Sequence, residues 1–158
     1  MTEQDKEFMR RAIELAQNGI DANDGGPFGA IVVKDGKIIG EGCNRVTSTN
    51  DPTAHAEIVA IREACQNLNN FQLDGCVIYT SCEPCPMCLG AIYWARPAKM
   101  YFACNREDAA RVGFDDDFIY DEIERPIEER RIESINFLRD EGLKVFESWT
   151  HKLDKTEY

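Results

Sequence analysis

The chain has 158 residues, of which 43% are hydrophobic and 30% charged, a balance typical of one soluble globular domain. Its 29 acidic residues outnumber 18 basic ones, and the net charge of −11 disfavours nucleic-acid binding, because lysine and arginine hold phosphates. No apolar run approaches the roughly 18 residues of a membrane helix, and the segment MTEQDKEFMRR does not resemble a secretory signal. We therefore expect a single cytoplasmic domain over residues 1–158, with neither a nucleic-acid nor a membrane partner.

The N-terminal half predicts a helix, a hairpin and a second helix. Apolar residues recur at helical spacing from Thr2 to Asp21, and the segment NDGGPFG ends that helix. The segment AIVVKDGKIIGEGCN predicts two strands joined by an Asp35-Gly36 turn. RVTSTNDP is polar and is expected to be a loop. A helix from Ala54 to Leu68 should follow, with Thr53 as its cap.

The C-terminal half predicts alternating strands and helices. CVIYTS and AKMYFAC are expected to be strands, PCPMCLGAIYWAR the helix between them, and REDAARVG a short helix ending at Gly113. This alternation favours parallel strands covered by helices. Farther on, Pro126 interrupts an acidic helical segment, and SINFL is a candidate fifth, edge strand. A terminal helix is expected to carry Val145, Trp149 and Leu153 on one stripe.

Seven cysteines are present, and their odd number in a chain of this length argues against a disulfide framework. Cysteines of cytoplasmic proteins are more often buried, metal-bound or catalytic. Four of them fall inside predicted elements, away from the cysteine-rich motif, and are expected to be core residues: Cys43, Cys65, Cys76 and Cys104.

Two short motifs carry the chemistry. His55 and Glu57 lie at one predicted helix start, and Cys85 and Cys88 lie at another. Residues i and i+2 of a helix do not share a face, so His55 and Glu57 can meet one site only if the helix points at it end-on. One imidazole and two thiolates suit Zn²⁺ with an open fourth position, where zinc lowers the pKa of bound water toward ~7. Glu57 is then free to move the protons of that water.

Other interpretations of the cysteines stay open at this point. A Cys-x-x-Cys pair alone is also typical of redox sites and of half a structural zinc site. Cys82 extends the run to Cys82-x-x-Cys85-x-x-Cys88, so an iron–sulfur or three-cysteine site is also compatible with it. We favour a buried Cys82 beside the metal, because it precedes Pro84 at a strand end. His151 is expected to be a surface residue.

The combination of HAE and PCPMC resembles the zinc-dependent cytidine and deoxycytidylate deaminase superfamily. Within it, the chain is similar almost end to end to bacterial guanine deaminases, in GGPFGAIVVKDG, DPTAHAE, YTSCEPCPMCLGAIYWARP, GFDDDFIY and the final EY. The resemblance implies an α/β fold, a three-layer α/β/α sandwich with a five-stranded mixed sheet. It also implies a homodimer, a C-terminal segment that can be swapped between subunits, and hydrolysis of the purine base guanine to xanthine and ammonia.

The resemblance also implies roles for individual residues. One zinc ion per subunit would lie on His55, Cys85 and Cys88, and Glu57 would shuttle protons during attack at C2 of the ring. The substrate contacts carried over by position are Asn44, Asp116, Phe28, Trp94 and Tyr158, the last closing the active site of the partner subunit.

Three alternatives compete with this interpretation. A transfer-RNA adenosine deaminase shares similar motifs, but the acidity and the GFDDDFIY and EY segments argue against it. A deaminase of the same superfamily could act on another small ring, such as cytosine, a pterin or a triazine. A zinc-stabilised binding module would keep the fold without turnover, and the presence of Glu57 argues against it.

Overall fold

A computed structural model describes residues 1–114 and 116–158, which form two compact units, Met1–Asp117 and Phe118–Tyr158. The expectation of one catalytic domain over residues 1–158 stays a prediction. Among the described residues, no helix is both long enough and apolar enough to cross a membrane.

The first unit alternates strands and helices, as the sequence predicts. In chain order its elements are α1 (Glu3–Asp21), β1 (Gly29–Lys34), β2 (Lys37–Cys43), α2 (Val46–Thr49), α3 (Ala56–Leu68), β3 (Val77–Cys82), α4 (Pro86–Ala95), β4 (Lys99–Cys104) and α5 (Arg106–Arg111). Helix α6 (Asp117–Glu124) begins at the last residue of this unit. The second unit continues with a 3₁₀ turn (Ile127–Glu129) and α7 (Arg139–His151).

The sheet is mixed and has the strand order β2-β1-β3-β4. Strand β1 pairs antiparallel with both β2 and β3, whereas β3 and β4 run parallel, with α4 as the crossover between them. Asp35 and Gly36 both have positive φ, at 49° and 73°, as a type I′ turn requires. The predicted Asp-Gly hairpin and the predicted parallel pair are therefore confirmed.

Alternate residues of β1 build two cores, one on each face of the sheet. Ile31 and Val33 pack with Ala12 of α1 on one face, and Ala30 and Val32 pack with α3 and α4 on the other. Successive side chains of a strand point to opposite faces of the sheet, and β1 is buried on both faces. Its apolar residues therefore divide between the two cores. The unit is thus a three-layer α/β/α sandwich, with the first turns of α3 and α4 on the same side of the sheet.

The prediction of a fifth strand is wrong for the described residues, which form four strands. Residues 134–138, the SINFL segment, have no regular structure, and Ile135 and Phe137 are exposed. Alternation of apolar residues favours a strand only where a sheet edge is available for pairing. The alternation of this segment therefore did not suffice to identify a strand.

Smaller expectations also need correction. The RVTSTNDP segment contains the single-turn helix α2. Thr53 is not the cap of α3, because its hydroxyl donates to the Asp51 carboxylate at 2.7 Å, and His55 occupies the N-cap position.

Cys104 is exposed at the end of β4, whereas Cys43 and Cys76 are buried as predicted and Cys65 is half-buried. Leu153 lies beyond the end of α7.

Candidate metal centre and cavity

Two helix starts meet at the candidate metal centre. His55 is the N-cap residue of α3 and Cys85 is the N-cap residue of α4, and both have extended backbone. Neither side chain caps its own helix, so the imidazole and the thiol turn toward each other instead. Cys88 lies in the first turn of α4 and is buried. The end-on arrangement inferred from the His55–Glu57 spacing is the one observed.

The geometry of this group suits a zinc ion. The Sγ atoms of Cys85 and Cys88 each lie 3.5 Å from Nδ1 of His55. All three potential ligand atoms lie within 4.8 Å of one another. A tetrahedral zinc ion with bonds of 2.0–2.3 Å separates neighbouring ligand atoms by about 3.5 Å. The three side chains could therefore hold a metal ion with little rearrangement.

The protonation of these side chains is coupled. A hydrogen bond from the Cys88 thiol, aided by His55, lowers the pKa of Cys85 to about 4. The same bond raises the pKa of Cys88, and the hydrogen bond to Cys85 raises the pKa of His55. Cys85 is thus a thiolate at neutral pH, stabilised by protons that its neighbours hold. A divalent cation binds such groups by displacing those protons.

Glu57 is buried beside the metal group. It lies in the first turn of α3, and its Oε2 lies 3.4 Å from Sγ of Cys88. Burial raises the pKa of the Glu57 carboxyl, so that it takes up a proton more readily than an exposed glutamate. A carboxyl poised in this way suits general acid–base catalysis.

A cavity of about 580 Å³ opens onto this group, with His55, Glu57 and Cys85 in its wall. Its volume lies within the range of small-molecule sites, roughly 300–1,000 Å³. Phe28 and Asn44 also line it, as the resemblance implies for substrate contacts.

The Asp116 carboxyl lines the same cavity, and burial raises its pKa. Trp94, by contrast, is 63% exposed on α4 and is not among the residues that line the cavity. Tyr158 belongs to the second unit, where it is 69% exposed. All five substrate-contact assignments stay predictions.

Phe114 and Arg106 also line the cavity, although the sequence motifs did not identify them as site residues. Phe114 packs edge-on against Phe28, with ring centroids 4.9 Å apart, and Arg106 forms a 3.6 Å ion pair with Asp117. Cys82, which the sequence analysis expected to be buried beside the metal group, is buried in the cavity wall, and its Sγ donates to the carbonyl of Asn105 at 3.5 Å. In the sequence, the position of Phe114 two residues before Asp116 was the feature that could have identified it as a cavity residue.

A three-layer sandwich with a histidine and two cysteines at neighbouring helix starts is an arrangement suited to zinc-dependent deaminases. The model of the cytidine and deoxycytidylate deaminase zinc-binding region matches residues 2–104. The chain belongs to this zinc-binding family.

Individual relatives show which deaminases of this family the chain is similar to. The chain is 57% identical over 151 residues to guanine deaminase of Bacillus subtilis strain 168, covering 96% of this chain and 97% of that protein. The X-ray structure of guanine deaminase from Bacillus subtilis superposes with a TM-score of 0.95 at 56% identity, covering 97% of this chain and 98% of the other. The tRNA-specific adenosine deaminase of Aquifex aeolicus is 43% identical over 96 residues, 61% of this chain and 63% of that protein.

Proposed function

We propose that this chain is a zinc-dependent hydrolase that deaminates guanine to xanthine and ammonia. The observation that carries the proposal is that His55 and Cys85 of the candidate metal group lie in one cavity wall with the buried Glu57, while Cys88 completes the group behind that wall. The likeness to guanine deaminase of Bacillus subtilis over 96% of the chain supports guanine as the substrate. The likeness to a tRNA-specific enzyme extends over a smaller part, and the net charge of −11 disfavours an RNA substrate.

The residues of the candidate site have different roles in the proposed reaction. His55, Cys85 and Cys88 would hold the zinc ion, which supplies Lewis-acid activation of the attacking water. Glu57 takes a proton from that water and delivers one to N3 of the ring as C2 is attacked. It then takes the remaining proton from the hydroxyl now bonded to C2 and delivers it to the amino group, so that the C–N bond breaks, the C2 carbonyl forms, and water and guanine yield xanthine and ammonia. One buried carboxyl can serve each step because its raised pKa lets it both hold and release the proton.

Asp116 is proposed to recognise the guanine edge. Guanine presents two adjacent donors, N1–H and the C2 amino group, and a carboxylate can accept from both. Adenine has an acceptor at N1 and would meet the carboxylate with repulsion, which is specificity by mismatch. Phe28, which lines the cavity, is proposed to pack against the ring, whereas ring packing by Trp94 rests on the family resemblance alone, because its side chain lies outside the cavity.

The proposed function is tested by zinc analysis together with an ammonia-release assay. The panel contains guanine, adenine, cytosine, a pterin, an aminotriazine and a transfer-RNA anticodon stem-loop. We expect about one zinc per chain and turnover of guanine above all others. Preferential turnover of the RNA or of another ring would contradict the proposal, and zinc without turnover of any substrate would favour a binding module.

Replacing Asp116 with alanine is expected to lower kcat/KM for guanine by at least about 5- to 150-fold while leaving zinc content and melting temperature nearly unchanged. The lost acceptor leaves two guanine donors unpaired in a closed site, at a cost of roughly 1–3 kcal/mol or more. Asp121→Ala, which removes an exposed carboxylate from α6, is the control and should keep full activity. An Asp116→Ala variant that processes guanine with unchanged kcat/KM but fails on another base would assign the guanine edge to a different residue.

We further propose that the enzyme is a cytoplasmic homodimer. Large side chains on α4 and β4 remain exposed in the single chain: Tyr93, Trp94 and Phe102. Large apolar side chains that remain exposed in a single chain are typical of interfaces between proteins. By the family resemblance, the C-terminal segment is swapped and Tyr158 closes the cavity of the partner subunit. Sedimentation analysis of the full chain tests the dimer.

Deleting Glu157 and Tyr158 is expected to weaken guanine deamination at least about tenfold, because an open cavity admits water and holds the ring loosely. Zinc content and dimer mass should not change, and Glu157→Ala alone should be silent. Mixing the deleted chain with Glu57→Gln chains, under subunit exchange, should restore activity, since each mixed dimer has one complete site. Activity that falls but is not restored would place the tail over the site of its own subunit, and a silent deletion would remove Tyr158 from the site.

A further inference from the structure

Cys82 and Cys104 lie opposite each other at the ends of two neighbouring strands. They are the last residues of β3 and β4, which run parallel, and the strand register pairs Cys82 with Cys104. The N–H of Glu83 donates to the carbonyl oxygen of Cys104 at 2.8 Å, so this register holds to the strand ends. Directly paired residues of adjacent strands project from the same face of a sheet, and the two side chains therefore share one face.

The backbone at this position meets the distance requirement of a disulfide bond. Neighbouring strands lie about 4.7–4.9 Å apart, and the two Cα atoms of a disulfide usually lie about 4.4–6.8 Å apart. Both cysteines have free thiols in the structure. Because each residue ends its strand, only a small adjustment of the chain is needed to bring the two sulfur atoms together.

The two thiols differ in their surroundings. Cys82 is buried in the cavity wall, and its Sγ lies 3.5 Å from the carbonyl oxygen of Asn105, the residue after Cys104. The sulfur atom of Cys82 therefore already points toward the end of β4. Burial, followed by the closeness of Cys104, raises the pKa of Cys82 to about 11. Cys104 is exposed, so a dissolved oxidant reaches its sulfur atom first.

The pairing gives a common explanation for two cysteines that the metal centre does not use. Among the described residues, the group that could hold a metal ion contains Cys85 and Cys88 with His55, and Cys82 is not part of it. The spacing of the cysteine run left the role of Cys82 open, and the exposure of Cys104 contradicts its expected place in the core. Their positions on β3 and β4 make each the partner of the other.

We propose that Cys82 and Cys104 form a site of reversible oxidation, at which a peroxide joins β3 to β4 through a disulfide bond. This modification goes beyond the proposed function and does not depend on which ring is the substrate. The bond ties the cavity wall at Cys82, three residues before the candidate ligand Cys85, to the edge strand β4. The oxidation state of the pair is thereby linked to the wall of the candidate site.

The reaction has two steps, with hydrogen peroxide as the oxidant. The thiolate of Cys104 attacks one peroxide oxygen, the O–O bond breaks and hydroxide leaves, so that Cys104 becomes a sulfenic acid. Cys82 then gives up its proton and attacks the sulfur atom of Cys104; the S–S bond forms, the S–O bond breaks and water leaves. Two thiols and one hydrogen peroxide thus give one disulfide and two waters, and the sulfur atoms lose the two electrons that reduce the peroxide. Exchange with a dithiol reverses the modification.

Mass spectrometry after limited peroxide treatment of the zinc-loaded full chain tests the proposal. We expect the intact mass of the single chain to fall by two hydrogens while zinc is retained, and the change to disappear on treatment with dithiothreitol. The bond should join Cys82 to Cys104. A first bond between any other two cysteines, such as Cys65 and Cys76, a bond between the Cys104 residues of two chains, or no bond at all would overturn the proposal.

Fragment ions and variants are both needed to assign the bond. No lysine or arginine lies between Arg62 and Arg96, so one tryptic peptide carries five cysteines, Cys82 among them, and a different peptide carries Cys104. The two peptides should be linked only after oxidation. Fragmentation of the linked product should place the bond at Cys82, and a bond at one of the other four cysteines would exclude the proposed pair.

The Cys104→Ala variant removes the exposed partner and should lower the yield of the bond to background. Cys65→Ala is the matched control, because it removes a half-buried cysteine from outside the pair, and it should leave the yield unchanged. In Cys82→Ala, Cys104 should stop at the sulfenic acid, which dimedone traps. If Cys82→Ala does not fold, Cys104→Ala and the fragment ions decide the proposal. Formation of the bond in Cys104→Ala at the unaltered rate would refute it.

Discussion

Replacing Glu57 with glutamine is expected to lower kcat for guanine by roughly 10²–10⁴-fold or more, because general acid–base catalysis typically contributes that factor and one group serves several steps here. Glutamine keeps the size of the side chain and can occupy the same buried place beside Cys88. It cannot carry a proton between the water, the ring and the leaving amine. KM should change far less than kcat, because the lost interaction belongs to the transition state.

Two further measurements make this expectation specific. Zinc content and dimer mass of Glu57→Gln should equal those of the unaltered protein, because Glu57 is not proposed as a ligand. Glu7→Gln, which changes an exposed carboxylate on α1, is the matched control and should leave kcat unchanged. Near-normal turnover by purified Glu57→Gln would show that the proposed proton route is wrong.

Replacing His55 with alanine is expected to remove zinc, activity and part of the stability together. The substitution takes away one of the three proposed ligands and the hydrogen bonds that join His55 to Cys85 and Cys88. Because metal binding contributes to the free energy of folding, the melting temperature should fall with the zinc content. Removal of zinc from the unaltered protein by a chelator should reproduce most of that fall.

The chain contains its own control for this experiment. His151 is the other histidine; it is exposed on α7 and its ring lies 2.7 Å from the carbonyl oxygen of Glu147. His151→Ala should therefore keep zinc, activity and melting temperature. A His55→Ala protein that retained a full equivalent of zinc would exclude His55 as a ligand.

Short-range patterns in the sequence were sufficient to predict the helices and strands around the site. The Asp35-Gly36 turn, the helical period of α1 and the strand–helix–strand alternation after residue 76 depend on interactions between near neighbours in the chain. The spacing of His55 and Glu57 required a helix that points end-on at its ligand, and that inference needed only helix geometry.

Family resemblance, rather than periodicity, assigned the substrate residues in advance. Asp116 by itself would be interpreted as part of a solvated acidic helix start, and Asn44 as a turn residue. Their chemistry depends on which surfaces face them, and no local pattern contains that information. Trp94 illustrates the limit, because its place in a helix between strands predicts burial, whereas its side chain is 63% exposed.

The sequence by itself determined that the candidate metal-binding residues lie at helix starts, and it determined most of the sheet, because these features follow from backbone geometry over a few residues. Only the tertiary structure decided that positions thirty residues apart bring Cys85 Sγ within 3.5 Å of His55 Nδ1. It also decided that Asn44 is buried in the cavity wall, that Cys104 is exposed, and that the described residues form four strands. Each of these depends on packing between elements distant in the chain, where the identity of the neighbour determines burial, polarity and pairing.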